Sequence, residues 1–389
     1  MTEPGYGASR SDHTIQTPIR EENKDQQPPR PAVQCQQLRY NADAVDVLGP
    51  KNKMTIRTDA LLLATLLLLS DLCFPAEKVL IDTDPGVDDA LAVVFAFESP
   101  QLDVVGLTTI FGNVETPLAT ANALRLLDIV GVDVPVAEGA IKPLYSKKLP
   151  TPDFVHGKDG FGEINLPASN RKPIDETAAE FIVRTVMANP GEITLVVLGP
   201  MTNIALALAL EPELPKNVKQ VVAMGGVLQV MGNVSPVASA NILGDAHAAD
   251  IVLGTDWDVV LVPADTTRQV RVTDAWLERL RKNGGSKGEF IHEVSRFYRD
   301  FYRSGGVKGG FYNHDPTAVA YIVDPALFQT EERAIRVVTD GISIGDVIAA
   351  KEMHYSQPGP WFGIPLATIT TEVDADGVMQ LLEEALTEQ

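Results

Sequence analysis

The stretch "VLIDTDPGVDDALAVVFAF", residues 79–97, decides the fold. Its first part is an apolar run with the texture of a strand. After Pro85-Gly86 it becomes an apolar helical pattern opened by Asp88-Asp89. A buried strand that passes through a tight turn into a helix begins a parallel α/β unit. The same stretch packs four aspartates, Asp82, Asp84, Asp88 and Asp89, into eight positions. Asp82 and Asp84 are two apart on an extended strand and are expected to face the same side. A helix N-terminus favours a carboxylate by only about 0.3–1 kcal/mol, which suits one or two such groups. Four that converge call for a bound hard cation, and Ca²⁺ takes roughly 6–8 oxygen ligands from carboxylates, carbonyls and water. Helix capping with solvation is the alternative, and for a single aspartate it would suffice.

Outward from this stretch the α/β texture continues from Lys78. "KVLIDT", "LDVVGLTTI", "ITLVVLG", "VKQVVAMGG" and "DVVLVPA" read as strands. Between them "DDALAVVFAFES", "PLATANALRLLDIVG", "IDETAAEFIVRTVMANP" and "TNIALALALEPEL" read as helices. The expectation is a Rossmann-like, mostly parallel central sheet flanked by helices, with ligands at the carboxyl ends of the strands. Past residue 270 the chain turns largely helical through "DAWLERLRKN" and "GEFIHEVSRFYRDFYRSG". Strand-like runs return at "RAIRVVTDG" and "PLATITTEVD" before a closing helix.

The main domain is placed at residues 77–389. Residues 1–55, rich in Pro, Gln and charge, read as a disordered extension. Residues 56–76 hold a short apolar segment, "ALLLATLLLLSDLCF" from Ala60, too short for the roughly 20 residues of a membrane span. Its length fits the apolar core of a signal peptide started at Met54, or a helix docked on the body. Arg57 is offset by Asp59, and "FPAE" is a poor cleavage site. The expectation is a cytoplasmic protein, secretory or organellar if residues 60–74 act as a signal. The formal net charge of −20 argues against nucleic acid and anionic membranes as partners. The two cysteines, Cys35 and Cys73, provide neither a disulfide framework nor a cysteine-ligated zinc site for the main body.

"DTDPGVDDA" closely resembles the signature of the inosine-uridine preferring nucleoside hydrolases, calcium-dependent N-ribohydrolases. Further motifs follow in that family's order: "TTIFGNVE", "VVLGPMTNIA", "MGGVLQVMGNVSPVASANILGD" and "NHDPTAVAY". The resemblance implies the nucleoside hydrolase fold and hydrolysis of ribonucleosides to base and ribose, in purine and pyrimidine salvage or catabolism. It implies Ca²⁺ held by Asp84, Asp89, Asp315 and the Leu198 carbonyl, with Asp84 also acting as general base on a calcium-bound water. His314 would be the general acid on the leaving base. Asp88 would hold the ribose 2′-hydroxyl, Asn113 would position water and ribose, Met224 would line the sugar pocket, Asn233 would reach the 5′ end and Asn241 the 3′-hydroxyl. Asp82 would support the loop.

"HGKDGFGE", from His156, resembles the family's mobile loop over the pocket, and Tyr302 is expected at the base. Tyr298 reads equally as a base contact or as packing. A homodimer or homotetramer is implied. One departure stands out: the family commonly has Glu two residues before the asparagine matching Asn241, and here that place is Ser239. Losing a charged hydrogen bond of this kind costs about 1.5–3 kcal/mol, so weaker sugar binding, or a calcium-dependent binder without turnover, is the second reading. A third is a haloacid-dehalogenase-type phosphohydrolase with Asp82 as nucleophile and Mg²⁺. It leaves the asparagine-rich and His-Asp-Pro segments unexplained.

Overall fold

A computed structural model describes residues 75–350 and 359–387. The extension at 1–55 and nearly all of the apolar segment at 56–76 lie outside the described residues, as do both cysteines. Eleven strands are described: β1 (Glu77–Thr83), β2 (Leu102–Thr109), β3 (Val136–Glu138), β4 (Ile193–Val197), β5 (Gln220–Met224), β6 (Val259–Val262), β7 (Arg271–Thr273), β8 (Gly310–Tyr312), β9 (Phe328–Val337), β10 (Val347–Ala350) and β11 (Leu366–Val373). Nine of them form one sheet in the order β10-β9-β11-β6-β5-β4-β1-β2-β3. From β11 to β3 every neighbouring pair is parallel. The departure from parallel pairing is β9, antiparallel to both β10 and β11.

This order fixes where a ligand can sit. The chain lays β2 and β3 on one side of β1, then returns to place β4, β5 and β6 on its other side. The direction of winding therefore reverses between β1 and β4. Their carboxyl ends open the crevice that such a switch point creates. Asp84 directly follows β1, and Leu198 directly follows β4.

The five strands expected first match β1, β2, β4, β5 and β6 to within a few residues. β1 is buried through its last five residues, as a central strand covered on both faces must be. The helix Val87–Glu98 is buried at every position from Val87 to Ala96. That explains its apolar composition on all sides rather than along one stripe. It packs against the helices Asp315–Val323, Gly285–Ser304 and Ala375–Thr387. β3, β7, β8 and β10 were not anticipated. Each has three or four residues, too few for a periodic signal. Among the described residues no helix is long and apolar enough to cross a membrane.

Candidate active site

Two helix N-termini converge beyond the end of β1. The helix Val87–Glu98 carries Asp88 and Asp89 in its first turn, and the helix Asp315–Val323 carries Asp315 in its own. The three residues bring carboxylate oxygens within 4.8 Å of one another. Both helix dipoles favour negative charge here. Burial opposes it: Asp88, Asp89 and Asp315 are at most 8 % exposed. Burial, and then the Asp88 charge, raises Asp89 and Asp315 above the usual carboxylate range. Asp88 itself is pushed up to about 6, chiefly by burial.

Asp84 stands beside this trio. Its Oδ2 accepts the Asn113 N–H at 2.7 Å. A Cβ on Gly112 would lie 1.8 Å from that oxygen, so the close approach requires glycine. Its Oδ1 is buried without a hydrogen-bond partner, as is Asp88 Oδ1. Burial and the neighbouring Asp89 charge raise Asp84 well above its ordinary value. Asp88, Asp89 and Asp315 thus form one close group, with Asp84 against Asp89; the resemblance implied Asp84 with Asp89 and Asp315. Asp84 is drawn to one side by the Asn113 amide.

Asp89 is the structural hub. Oδ1 accepts from Thr83 Oγ1 at 2.5 Å and from the Asp84 N–H at 3.2 Å. Oδ2 accepts from the Gly86 N–H at 3.0 Å and from Asn113 Nδ2 at 2.8 Å. Asp82, expected on the same side as Asp84, is held by the neighbouring strand and by the helix Thr202–Leu210. Its Oδ1 accepts from Thr108 Oγ1 at 2.6 Å and from Asn203 Nδ2 at 2.7 Å. Burial holds it up to about 7. It borders neither recess described below, an unsuitable place for the phosphohydrolase nucleophile.

A cavity of about 330 Å³ lies over the carboxylates. It is lined by Asp88, Asn113, His156, Leu198, Met224, Asn233, Ser239, Asn241, Tyr302, His314 and Asp315, every expected site residue except Asp84 and Asp89. Its size suits a small organic ligand. Asp84 borders an adjoining recess of about 70 Å³, with Gly112, Asn113 and Asn241 in its wall.

The polar groups around the cavity are largely pre-ordered. Asn241 Nδ2 donates to the Leu198 carbonyl at 2.5 Å and to the Met224 carbonyl at 3.1 Å. Asn233 Oδ1 accepts from the Ala240 N–H. Ser239 Oγ accepts from the Gly226 N–H at 2.7 Å, tying the segment after β5 to the turn of helix that carries Asn241. His156 Nδ1 accepts the Val87 N–H at 3.2 Å, and burial lowers its pKa to about 4. The loop it opens is pinned: Asp159 accepts from the N–H groups of Phe161, Glu163 and Asn165, and Phe161 is buried. Gly157, Gly160 and Gly162 there all hold positive φ, a conformation that favours glycine.

His314 is engaged at both ring nitrogens, Nδ1 with Thr267 Oγ1 at 2.7 Å and Nε2 with the Tyr302 hydroxyl at 2.9 Å. Burial, and then the Arg268 charge, lowers its pKa to about 3, so the ring is neutral. The Tyr298 hydroxyl donates to Asp88 Oδ2 at 3.1 Å. Phe154, Arg268, Phe301 and Tyr312 also line the cavity and were not singled out from sequence. Arg268 and Thr267 follow β6, so the rule that ligands gather at strand carboxyl ends marks that segment.

A family model described as "Inosine-uridine preferring nucleoside hydrolase" matches residues 79–380. The chain belongs to this nucleoside hydrolase family. It is 43% identical over 315 residues to a probable uridine nucleosidase 2 of Arabidopsis thaliana, covering 80% of this chain and 98% of that protein. It is 37% identical over 277 residues to the inosine-uridine preferring nucleoside hydrolase of Crithidia fasciculata, covering 70% of this chain and 87% of that protein. Among solved structures, a plant nucleoside hydrolase superposes with a TM-score of 0.79 at 43% identity, over 81% of this chain and all of that one. A purine-preferring ribonucleoside hydrolase from Gardnerella vaginalis superposes at 0.74 with 31% identity, over 80% of this chain and 98% of that one. The nucleoside hydrolase match spans β1 through most of the C-terminal helix, so it takes in every candidate site residue.

Proposed function

We propose that this nucleoside hydrolase cleaves the N-glycosidic bond of ribonucleosides, releasing free base and ribose, with Ca²⁺ as its metal. The observation that carries this reading is the buried carboxylate group at the β1–β4 switch point, in which Asp84 Oδ1 and Asp88 Oδ1 lack any partner. Buried anionic oxygens without partners are costly, and a cation satisfies them. The donor set is all oxygen: the carboxylates of Asp84, Asp89 and Asp315 and the Leu198 carbonyl, with Asp88 alongside. Such donors suit a hard cation rather than zinc.

Each side chain has a definable task. Asp84, next to a recess large enough for a water, takes the proton as the water oxygen bonds to C1′. Asp88, its Oδ2 held by Tyr298, keeps Oδ1 for the ribose 2′-hydroxyl. Asn113, Met224, Asn233 and Asn241 seat the sugar, Ser239 in the cavity wall braces the turn that carries Asn241, and His156 fixes the start of the helix Val87–Glu98. His314, engaged at both ring nitrogens, holds the Tyr302 hydroxyl at the base end of the cavity and passes the base no proton of its own. An ion held by these carboxylates would make a nearby water more acidic and would favour binding of sugar hydroxyls. Because water attacks directly, no covalent enzyme intermediate forms, and the anomeric configuration inverts. The aromatic wall of Tyr302 and Tyr312 accommodates either a pyrimidine or a purine.

A nucleoside panel assayed for both free base and free ribose tests the assignment. Uridine and inosine are expected to yield both products in equal amounts. Binding of ribosides without either product would instead favour the turnover-deficient binder that Ser239 suggests.

A further inference from the structure

Bond cleavage leaves an electron pair on the base nitrogen. The carboxylates below the sugar offer that negative charge only repulsion. His314 has both ring nitrogens occupied by Thr267 and Tyr302, so neither is free to meet the base directly. One permanent cation lies among the described residues lining the cavity, Arg268. Its guanidinium lies 6.0 Å from the centre of the Tyr312 ring. Tyr312 in turn lies next to Tyr302 and His314.

Arg268 also has donors to spare. Nη1 donates to the Met231 carbonyl at 2.7 Å. Nε is buried with no hydrogen-bond partner. Among the described residues Arg268 forms no ion pair, although the chain has 52 Asp and Glu residues. A purely structural task would be to pin the loop at residues 228–231. Asp265 already does so by accepting the N–H groups of Leu228, Gln229 and Val230. An arginine with a buried unused donor, beside an aromatic wall and without a carboxylate, is arranged to receive negative charge from a ligand.

We propose that Arg268 binds the carbonyl edge of the departing base and stabilises it as an anion, which makes the site selective for oxo-bases over bases that bear only amino groups. The inference rests on the hydrolase reading above. As the C1′–N bond breaks, its electron pair passes to the ring nitrogen and is delocalised onto the conjugated carbonyl oxygen facing Arg268. The water oxygen bonds to C1′, and its proton goes to Asp84. The base anion takes a proton from solvent after release, and no oxidant or reductant is involved. Preorganised positive charge aimed at charge that develops only in the transition state raises kcat rather than ground-state affinity.

The test compares uridine with 4-nitrophenyl riboside, whose leaving group departs as a stable anion without assistance. Arg268→Gln keeps a donor for the Met231 carbonyl but removes the charge. It is expected to lose on the order of 10²-fold in kcat on uridine and only a few-fold on the nitrophenyl substrate. Arg268→Lys, which keeps the charge, is expected to recover much of the uridine rate. Equal losses on the two substrates in Arg268→Gln, or no loss on either, would overturn the proposal while leaving the hydrolase reading intact. Should Arg268→Gln not fold, a rate for Arg268→Lys reduced equally on both substrates overturns it as well. A wild-type chain that releases ribose from neither substrate sinks the hydrolase reading itself, and this inference with it.

Discussion

Asp84→Ala is expected to reduce kcat on uridine by about 10²–10⁴-fold, the range that a positioned general base contributes. The variant should nevertheless fold. Asp84 is 1 % exposed, its Oδ1 has no partner, and burial raises its pKa well above the ordinary value. Removing a buried carboxylate of that kind relieves a desolvation cost and leaves one unsatisfied donor, the Asn113 N–H. The expected signature is therefore an enzyme with nearly unchanged thermal stability in chelator and very little turnover. Steady-state release of ribose checks the rate, and a melting curve checks the fold. Activity within tenfold of wild type would remove Asp84 from the role of base.

The second large effect is a stability that depends on pH and cation together. Asp82, Asp84, Asp88, Asp89 and Asp315 are all buried with raised pKa values, Asp88 to about 6 and Asp82 to about 7. For a carboxylate raised in the folded state, the native chain holds more protons than the unfolded one between the two pKa values. Stability then falls as pH rises through that window. In chelator the chain is expected to be most stable near pH 4–5 and to lose stability steadily up to about pH 7–8. A bound cation favours the ionised carboxylates, so its contribution has the opposite trend and grows with pH. At a hundredfold excess over Kd it adds about 2.7 kcal/mol. Melting temperatures with Ca²⁺ and with chelator should diverge toward alkaline pH and converge toward acid. Parallel curves would mean that the carboxylates titrate without regard to the ion.

What could be read from sequence follows from the range of the interactions involved. β1, its turn and the helix Val87–Glu98 were legible because a single continuous stretch sets them. An apolar run, Pro85-Gly86 and an acidic first turn lie within nineteen residues. β3 and β10 were not, because three or four residues carry no period and pair only once the sheet already exists. Asp82 shows the same limit within the motif. Strand alternation places it on the side of Asp84, yet its carboxylate is taken up by Thr108 and Asn203, 26 and 121 residues away, and borders neither recess. Asp84 lies just past the end of β1 at Thr83, and the Asn113 amide binds its carboxylate there. Arg268 was illegible for another reason. One arginine in "DTTRQV" looks like a surface charge until the fold sets it against Tyr312 in the cavity wall.

Ser239 illustrates how a departure from a family pattern can be absorbed. Its hydroxyl binds the Gly226 N–H, so the polar group is satisfied without a ligand. Where the family resemblance implies a carboxylate, the serine braces the turn that carries Asn241. The carboxylates gathered at the site are Asp84, Asp88, Asp89 and Asp315, and on the function proposed above a cation held there would be the principal grip on the substrate.

Calorimetric titration of Ca²⁺ into the chelator-dialysed chain at neutral pH measures that grip directly. Saturable binding of about one ion per chain is expected on the coordination chemistry of such a site, with the heat lost in Asp89→Asn and in Asp315→Asn. Heats indistinguishable from dilution, in a chain that still releases ribose from uridine, would contradict the cation-centred account.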